Sequence, residues 1–141
     1  MVATVEGRYA PAFHPVHALL LGGALSLILG TLLADIAYAR TYEIQWINFA
    51  AWLNVGGLVF AAAALVCALL GLVPSRRTRG SALHCLLWAV AWILALLNAL
   101  VHARDAWAAM PMALVLSVLV FAVALVSIFF AAWPLRAGGV R

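Results

Sequence analysis

The segment PVHALLLGGALSLILGTLLADIAY, residues 15–38, decides the fold of this chain. It contains one Asp and no Glu, Lys or Arg. An α-helix rises about 1.5 Å per residue, so about 20 apolar residues cross a hydrocarbon core about 30 Å thick. Three further apolar stretches of similar length follow, at residues 46–73, 82–101 and 109–133. The sequence therefore predicts an all-α integral membrane protein with four spanning helices.

The composition supports the same class of protein. Hydrophobic residues make up 69% of the 141 residues and charged residues 9%, whereas soluble domains are nearer half apolar and about a quarter charged. The connections between the apolar stretches are short, which favours antiparallel neighbours in an up-down-up-down bundle. We expect a single transmembrane domain over residues 1–141, because no segment outside the spans is long enough to build a core.

The charges indicate how the bundle is oriented. All eight basic residues are arginines, and six of them lie on one side of the predicted membrane, at positions 8, 76, 77, 79, 136 and 141. The opposite side carries Arg40 and Arg104 together with Glu43 and Asp105. An excess of arginine in short loops is typical of the cytoplasmic side. The sequence therefore predicts that both termini lie in the cytoplasm, and its basic loop favours lipid head groups over nucleic acid as a partner.

Small residues recur at every fourth position of the first span. Lipid provides no hydrophobic drive between helices, so small residues that let two backbones approach closely favour helix association. We expect this ridge to face another helix. The candidates are the second span, where Gly57 and Ala61 repeat the spacing, or the same ridge in a second copy of the chain, giving a homodimer. The ridge consists of Ala18, Gly22, Ser26, Gly30 and Ala34.

Three histidines are predicted near the cytoplasmic side. His14 precedes the first span, and His17 and His84 are each the third residue of their predicted helices, so their imidazoles should lie at matching depth. Ionisable groups inside a membrane are costly and mark candidate sites. One hypothesis is that His17 and His84 are the axial ligands of a haem b, with Gly22 and Gly23 giving the macrocycle room. The alternative is a set of interfacial histidines that bind head groups or loop carbonyls.

A second polar cluster is predicted near the opposite side. Asn98 and His102 are four residues apart and share a helix face, and Asp35 lies near the end of the first span, where the helix dipole disfavours a negative charge. Asp35 therefore needs a partner such as His102, Arg104 or Arg40. The cluster is either a polar clamp between helices or a small pocket for a quinone head group, a proton or a metal ion. Its members are Asp35, Asn54, Asn98, His102 and Arg104.

Several strings of residues together resemble a known family. They are His14-Pro15-Val16-His17, Asp35, the segment 45–53 with Gly56-Gly57-Leu58, the segment 98–107, and the tail 135–140. The chain is similar over nearly its full length to the bacterial family catalogued as domain of unknown function 2231. The resemblance implies a four-helix inner-membrane protein with no established activity, and suggests a periplasmic dehydrogenase or c-type cytochrome as a redox partner.

The chain departs from the family pattern near its second histidine. Many relatives have a proline directly after that histidine and a Phe-Pro pair one turn later, whereas this chain has Ala18 and Gly22-Gly23. A site shaped by those prolines would be missing here. No motif of a phosphate loop, a zinc protease or an activated nucleophile is present in the sequence, so no residue is predicted to be catalytic.

The sequence and the family resemblance together predict a non-catalytic accessory or anchor subunit in the bacterial inner membrane, for a periplasmic redox enzyme. The alternative is an electron-transfer membrane protein that binds haem b or a quinone.

Overall fold

A computed structural model describes residues 14–72 and 79–132, and this part of the chain contains helices and no strand. Four of the helices are long and apolar enough to cross a membrane. This confirms the predicted all-α fold with four membrane-spanning helices. The helices are α1 (Pro15–Thr41), α2 (Ile44–Leu70), α3 (Arg79–His102), α4 (Ala106–Ala109) and α5 (Met112–Ala132).

The four long helices form a bundle in which each packs mainly on two others. Helix α1 packs most extensively on α2 and also contacts α5, and α3 packs most extensively on α5 and also contacts α2. Helices α1 and α3 therefore lie across the diagonal of the bundle. The α1–α2 connection and the α3–α5 connection lie at the same end, which we call the Asp35 end.

The first two helices meet in a tighter connection than the sequence predicts. Helix α1 continues three residues beyond the predicted end at residue 38, and α2 begins at Ile44 instead of residue 46. The Thr41 hydroxyl donates to the Ala37 carbonyl (2.8 Å), which extends the helix through its polar last turn. Tyr42 then adopts a left-handed conformation (φ 56°), and its N–H donates to the Tyr38 carbonyl. Only Tyr42 and Glu43 separate the two helices.

The boundaries of α3 and α5 also differ from the predicted ones. Helix α3 begins at Arg79, three residues before the predicted start at residue 82. The long helix of the fourth predicted span, 109–133, is α5 and begins at Met112, and a division at residues 110 and 111 separates it from the short helix α4. Pro111 explains the division, because a residue before proline is disfavoured in the helical conformation, and Met110 is extended (φ −93°, ψ 144°).

Several sequence predictions lie outside the described residues. They concern residues 73 and 133 at the ends of two predicted spans, the tail 135–140, and the arginines at positions 8, 76, 77, 136 and 141.

The centre of the bundle is made largely of alanine. Small side chains allow close approach of the helix backbones. Trp88 fills the remaining space: it is 1% exposed, and its Nε1 donates to the Ala61 carbonyl of α2 (3.0 Å). The buried core consists of Leu21, Ala24, Ile28, Ala61, Ala64, Trp88, Ala91, Ala95, Val120 and Ala124.

The small-residue ridge of α1 is not covered along its whole length. Gly30 packs against Leu53 of α2 and Ala34 is buried, but Ala18, Gly22 and Ser26 are exposed. The expectation that the ridge packs inside the bundle is therefore wrong for its first three members. The face of α1 that meets α2 carries Gly23 and Leu27 instead. Pairing of two copies through the ridge stays a prediction.

We expect Gly57→Leu to destabilise the bundle by about 1–3 kcal/mol, the usual cost of overpacking. A Cβ at Gly57 would lie 3.5 Å from Ile28 Cγ1 and 3.6 Å from Leu27 Cβ, so alanine fits but a larger side chain must push α1 away from α2. Gly22→Leu is the matched control, because nothing lies within 4 Å of its Cβ position. Unfolding in mixed micelles measures both variants. Equal stability of the two variants would contradict the described α1–α2 contact.

Candidate functional site

Asp35 lies at the centre of a hydrogen-bonded cluster that joins three helices. Its side chain is fully buried on α1. Oδ1 lies 2.9 Å from His102 Nε2 on α3, and Oδ2 accepts a hydrogen bond from the Ser117 hydroxyl on α5. Asn98 Nδ2 in turn donates to Ser117 Oγ (2.8 Å). We call Asp35, Asn98, His102 and Ser117 the Asp35 cluster.

The partners of His102 restrict where its protons lie. Nδ1 is 2.9 Å from the backbone carbonyl of Asn98, which can only accept a hydrogen bond, so Nδ1 carries a proton. One further proton is then needed between Nε2 and Asp35 Oδ1. Whether that proton is on His102 or on Asp35, the pair has no net charge. A pair without net charge costs less to bury in a membrane than an isolated carboxylate does.

The membership of the Asp35 cluster differs from the predicted one. It contains one residue that the sequence does not predict, and two predicted members lie outside it. Ser117 was not among the predicted site residues. Asn54 was a predicted member, but its Nδ2 donates to the Ala95 carbonyl (3.1 Å). It therefore links α2 to α3 and does not contact Asp35. Arg104 is exposed after the end of α3. The partner of Asp35 is therefore His102 and not an arginine.

A usable signal for Ser117 was present in the sequence. Helix α5 contains two polar side chains, Ser117 and Ser127, in an otherwise apolar segment. They are ten residues apart, or about 15 Å along a helix. Because the fourth span starts on the side of the Asp35 cluster, Ser117 falls towards that cluster and Ser127 towards the predicted histidine region.

The second predicted region is a pair of adjacent imidazoles, which we call the histidine pair. The ring centroids of His17 and His84 lie 5.6 Å apart with the ring planes tilted by 48°. Both residues are buried (8% and 3% exposed) although their helices are diagonal in the bundle. The two histidines do lie side by side, as predicted, but His84 is the sixth residue of α3 and not the third, because the helix begins at Arg79.

Ser127 fixes the orientation of His84. Nδ1 of His84 lies 2.9 Å from Ser127 Oγ and 3.1 Å from the Ser127 carbonyl, while the Ser127 hydroxyl donates to the His84 carbonyl (2.9 Å). Since that hydroxyl proton is used, Nδ1 must be the donor in the contact with Ser127. In the neutral ring, Nε2 then carries the lone pair.

The other residues predicted for a haem site lie elsewhere. His14 is exposed and caps α1, with Nδ1 accepting from the Val16 N–H (3.4 Å). Gly22 faces open space, and Gly23 faces Phe60 of α2, whose ring would lie 2.7 Å from an added Cβ. The two glycines therefore make no space between the histidines. Within residues 14–72 and 79–132, no group of three or more His, Cys, Asp or Glu is placed to hold a metal ion.

Two grooves open on the surface near the Asp35 end. The larger, of about 350 Å³, lies beside Tyr42 and Trp107, whose rings stack with centroids 5.6 Å apart and planes at 16°. It is lined by Tyr38, Ala39, Tyr42, Trp107, Met110, Pro111 and Leu114. The smaller, of about 240 Å³, lies between α2 and α3. It is lined by Ala51, Trp52, Val55, Ala99, His102 and Ala103.

Comparison with known proteins identifies the family but no function. The family model described as predicted membrane protein, domain of unknown function 2231, matches residues 13–137. No curated protein matches the chain significantly. No solved structure does so either. The match covers both the Asp35 cluster and the histidine pair, and the chain belongs to this family of predicted membrane proteins.

Proposed function

We propose that this protein is a non-catalytic subunit of the bacterial inner membrane that holds a periplasmic redox enzyme, a dehydrogenase or a cytochrome, at its Asp35 end. Both termini would then lie in the cytoplasm. The excess of arginine in the sequence on the side of the termini supports this orientation.

The bonding within the Asp35 cluster supports a structural role for it. Both carboxylate oxygens of Asp35 and both ring nitrogens of His102 have hydrogen-bond partners inside the bundle. A general acid or base must reach its substrate directly or through one water. Asp35 and His102 are instead committed to fastening α1, α3 and α5 together, which keeps the end of the bundle rigid.

The observation that carries the proposal is the aromatic surface above this clamp. Tyr42 and Trp107 are 60% and 76% exposed, and their stacking joins the α1–α2 connection to the α3–α5 connection. Exposed aromatic residues beside a groove are typical of the centres of protein interfaces, and charged residues of their rims. The exposed charged residues around this surface are Arg40, Glu43, Arg104 and Asp105.

We expect a photo-crosslinking amino acid in place of Trp107 to form an adduct with a periplasmic redox enzyme in native membranes. The same amino acid in place of Trp52 is the matched control, because Trp52 is also 76% exposed but lies on the side of the bundle, where lipid is the expected neighbour. Mass spectrometry identifies the adducts, and Trp107→Ala should release the identified enzyme from the membrane fraction. Equal adducts at both positions, or adducts only with a second copy of the chain, would contradict the proposal.

A second candidate function is supported by the smaller groove. His102 and Trp52 line this groove, so a ring-shaped ligand dissolved in the membrane, such as a quinone head group, would lie against the helix face that carries His102. An electron-transfer role of this kind predicts that a soluble quinone analogue quenches the fluorescence of Trp52. It also predicts that quenching is lost in Asp35→Asn while the fold is kept. The haem ligation predicted for His17 and His84 belongs to this same class of function and stays a prediction.

A further inference from the structure

We propose that the histidine pair, His17 and His84, binds one cuprous ion. Two imidazoles from helices that are diagonal in the bundle lie with their ring centroids 5.6 Å apart, in a buried part of the membrane domain. Imidazole nitrogen is a ligand that copper accepts readily. The inference concerns residues that the docking proposal does not use, and it is independent of that proposal.

The environment of His84 is that of a metal ligand. Histidines that bind metals nearly always donate their other ring N–H to a carbonyl, a carboxylate or a water, which fixes the tautomer and the ring orientation. His84 Nδ1 makes this contact with Ser127, through both the carbonyl and the hydroxyl oxygen. The neutral tautomer set by Ser127 has its lone pair on Nε2, the atom that would bind the ion.

The separation of the two rings suits a shared ion. An imidazole nitrogen binds a metal at about 2.0 Å and lies roughly 1.1 Å from its ring centroid, so each centroid would be roughly 3.1 Å from the ion. Centroids 5.6 Å apart then subtend roughly 130° at the ion, a bent arrangement that leaves a side open for a further ligand. Haem requires the two ligands on opposite sides of its iron, with the macrocycle between them. Leu21 and Trp88, one turn deeper than the two histidines, are packed in the core.

The charge of the ion decides between copper and zinc. Two neutral imidazoles do not offset the charge of a metal ion. The ion therefore keeps its full charge in a buried site with little solvation. The desolvation cost of an ion rises with the square of its charge, and is therefore about four times larger for a divalent ion than for a cuprous one. Divalent zinc usually has four ligands in a structural site. The two-histidine site therefore favours the singly charged ion.

The test is a competition for Cu⁺ between the purified full chain in detergent, without oxygen, and a coloured cuprous chelator. We expect one Cu⁺ per chain. His17→Ala and His84→Ala should weaken binding by more than about 100-fold, because outer partners of a ligand alone are worth about 10–100-fold. Ser127→Ala keeps the carbonyl contact and should weaken binding by about 10-fold. Ser26→Ala is its matched control, since the Ser26 hydroxyl only bonds the Gly22 carbonyl of its own helix.

A second measurement keeps the proposal testable if the histidine variants do not fold. X-ray absorption of the copper-loaded wild-type chain should show two imidazole nitrogens bound to copper. The proposal is overturned if the wild-type chain takes no copper from the chelator, if sulfur ligands are found, or if folded variants of both histidines bind within twofold of wild type. A haem absorption band that is lost in those variants would also overturn it, and would assign the two histidines to haem.

Discussion

Asp35→Ala is expected to lower the free energy of unfolding by about 3–5 kcal/mol, the usual cost of removing one partner of a buried ion pair. The substitution leaves His102 Nε2 and the Ser117 hydroxyl facing an apolar cavity. Both residues are buried, so water does not replace the lost hydrogen bonds. It also removes the link by which α1 is fastened to α3 and α5. Unfolding of the purified protein in mixed detergent–lipid micelles, followed by circular dichroism, measures the change.

Asp35→Asn is the matched control, because it changes the charge and keeps the hydrogen bonds. The Asn amide can donate to His102 Nε2 while its carbonyl oxygen accepts from Ser117, and His102 keeps its Nδ1 proton on the Asn98 carbonyl. We expect this variant to lose no more than about 1 kcal/mol. If the alanine and asparagine variants were equally unstable, the charge of Asp35 and not its hydrogen bonding would hold the cluster together.

Trp88→Ala is expected to destabilise the bundle by about 3–5 kcal/mol, as removal of a fully buried aromatic side chain usually does. The variant opens a cavity in the centre of the bundle and leaves the Ala61 carbonyl without the indole N–H that now contacts it from α3. The same unfolding measurement applies to this variant.

Trp52→Ala provides the comparison for Trp88. It removes a side chain of the same size that is 76% exposed, and a substitution at such a position usually changes stability by less than about 0.5 kcal/mol. A large effect at Trp52 together with a small one at Trp88 would mean that the packing of α3 against α2 differs from the one described.

The length and composition of the apolar segments were sufficient to predict the fold. Each of the four predicted spans corresponds to one long helix, because a segment of about 20 apolar residues has few stable alternatives inside a bilayer. The helix ends were less predictable. Residues 39–41 continue α1 because the first residues outside the hydrocarbon can stay helical, and Pro111 separates the long helix α5 from the short helix α4.

The direction in which each residue faces could not be read from hydropathy. In a membrane protein the side facing lipid and the side facing the core are both apolar, so the pattern of apolar residues carries little information on orientation. This explains why the sequence left open whether the ridge residues Ala18, Gly22 and Ser26 face the second span or the surface of the bundle, where they lie. Polar residues were better guides, since they are buried against partners. The need of Asp35 for a partner was predicted for this reason, and of the three candidates His102 is the one that contacts it.

The members of the candidate sites were also only partly predictable from the sequence. Asn98 and His102 were grouped because they are four residues apart on one helix, but Asn54 has its own partner in the Ala95 carbonyl. The sequence does not mark Ser117 and Ser127 as site residues, because a single hydroxyl in an apolar helix is common and often bonds only its own backbone. Their roles depend on which helix lies opposite, and this follows from the packing of α5 on α3.

The most direct test of the clamp is a double-mutant cycle of Asp35→Ala and His102→Ala, with unfolding free energies measured for the wild type, both single variants and the double variant. The two side chains are 2.9 Å apart across the bundle diagonal. We expect the double variant to be more stable than the sum of the single effects predicts, by about 2 kcal/mol. Single effects that add within about 0.5 kcal/mol would show that the pair does not join α1 to α3, and would contradict the clamp.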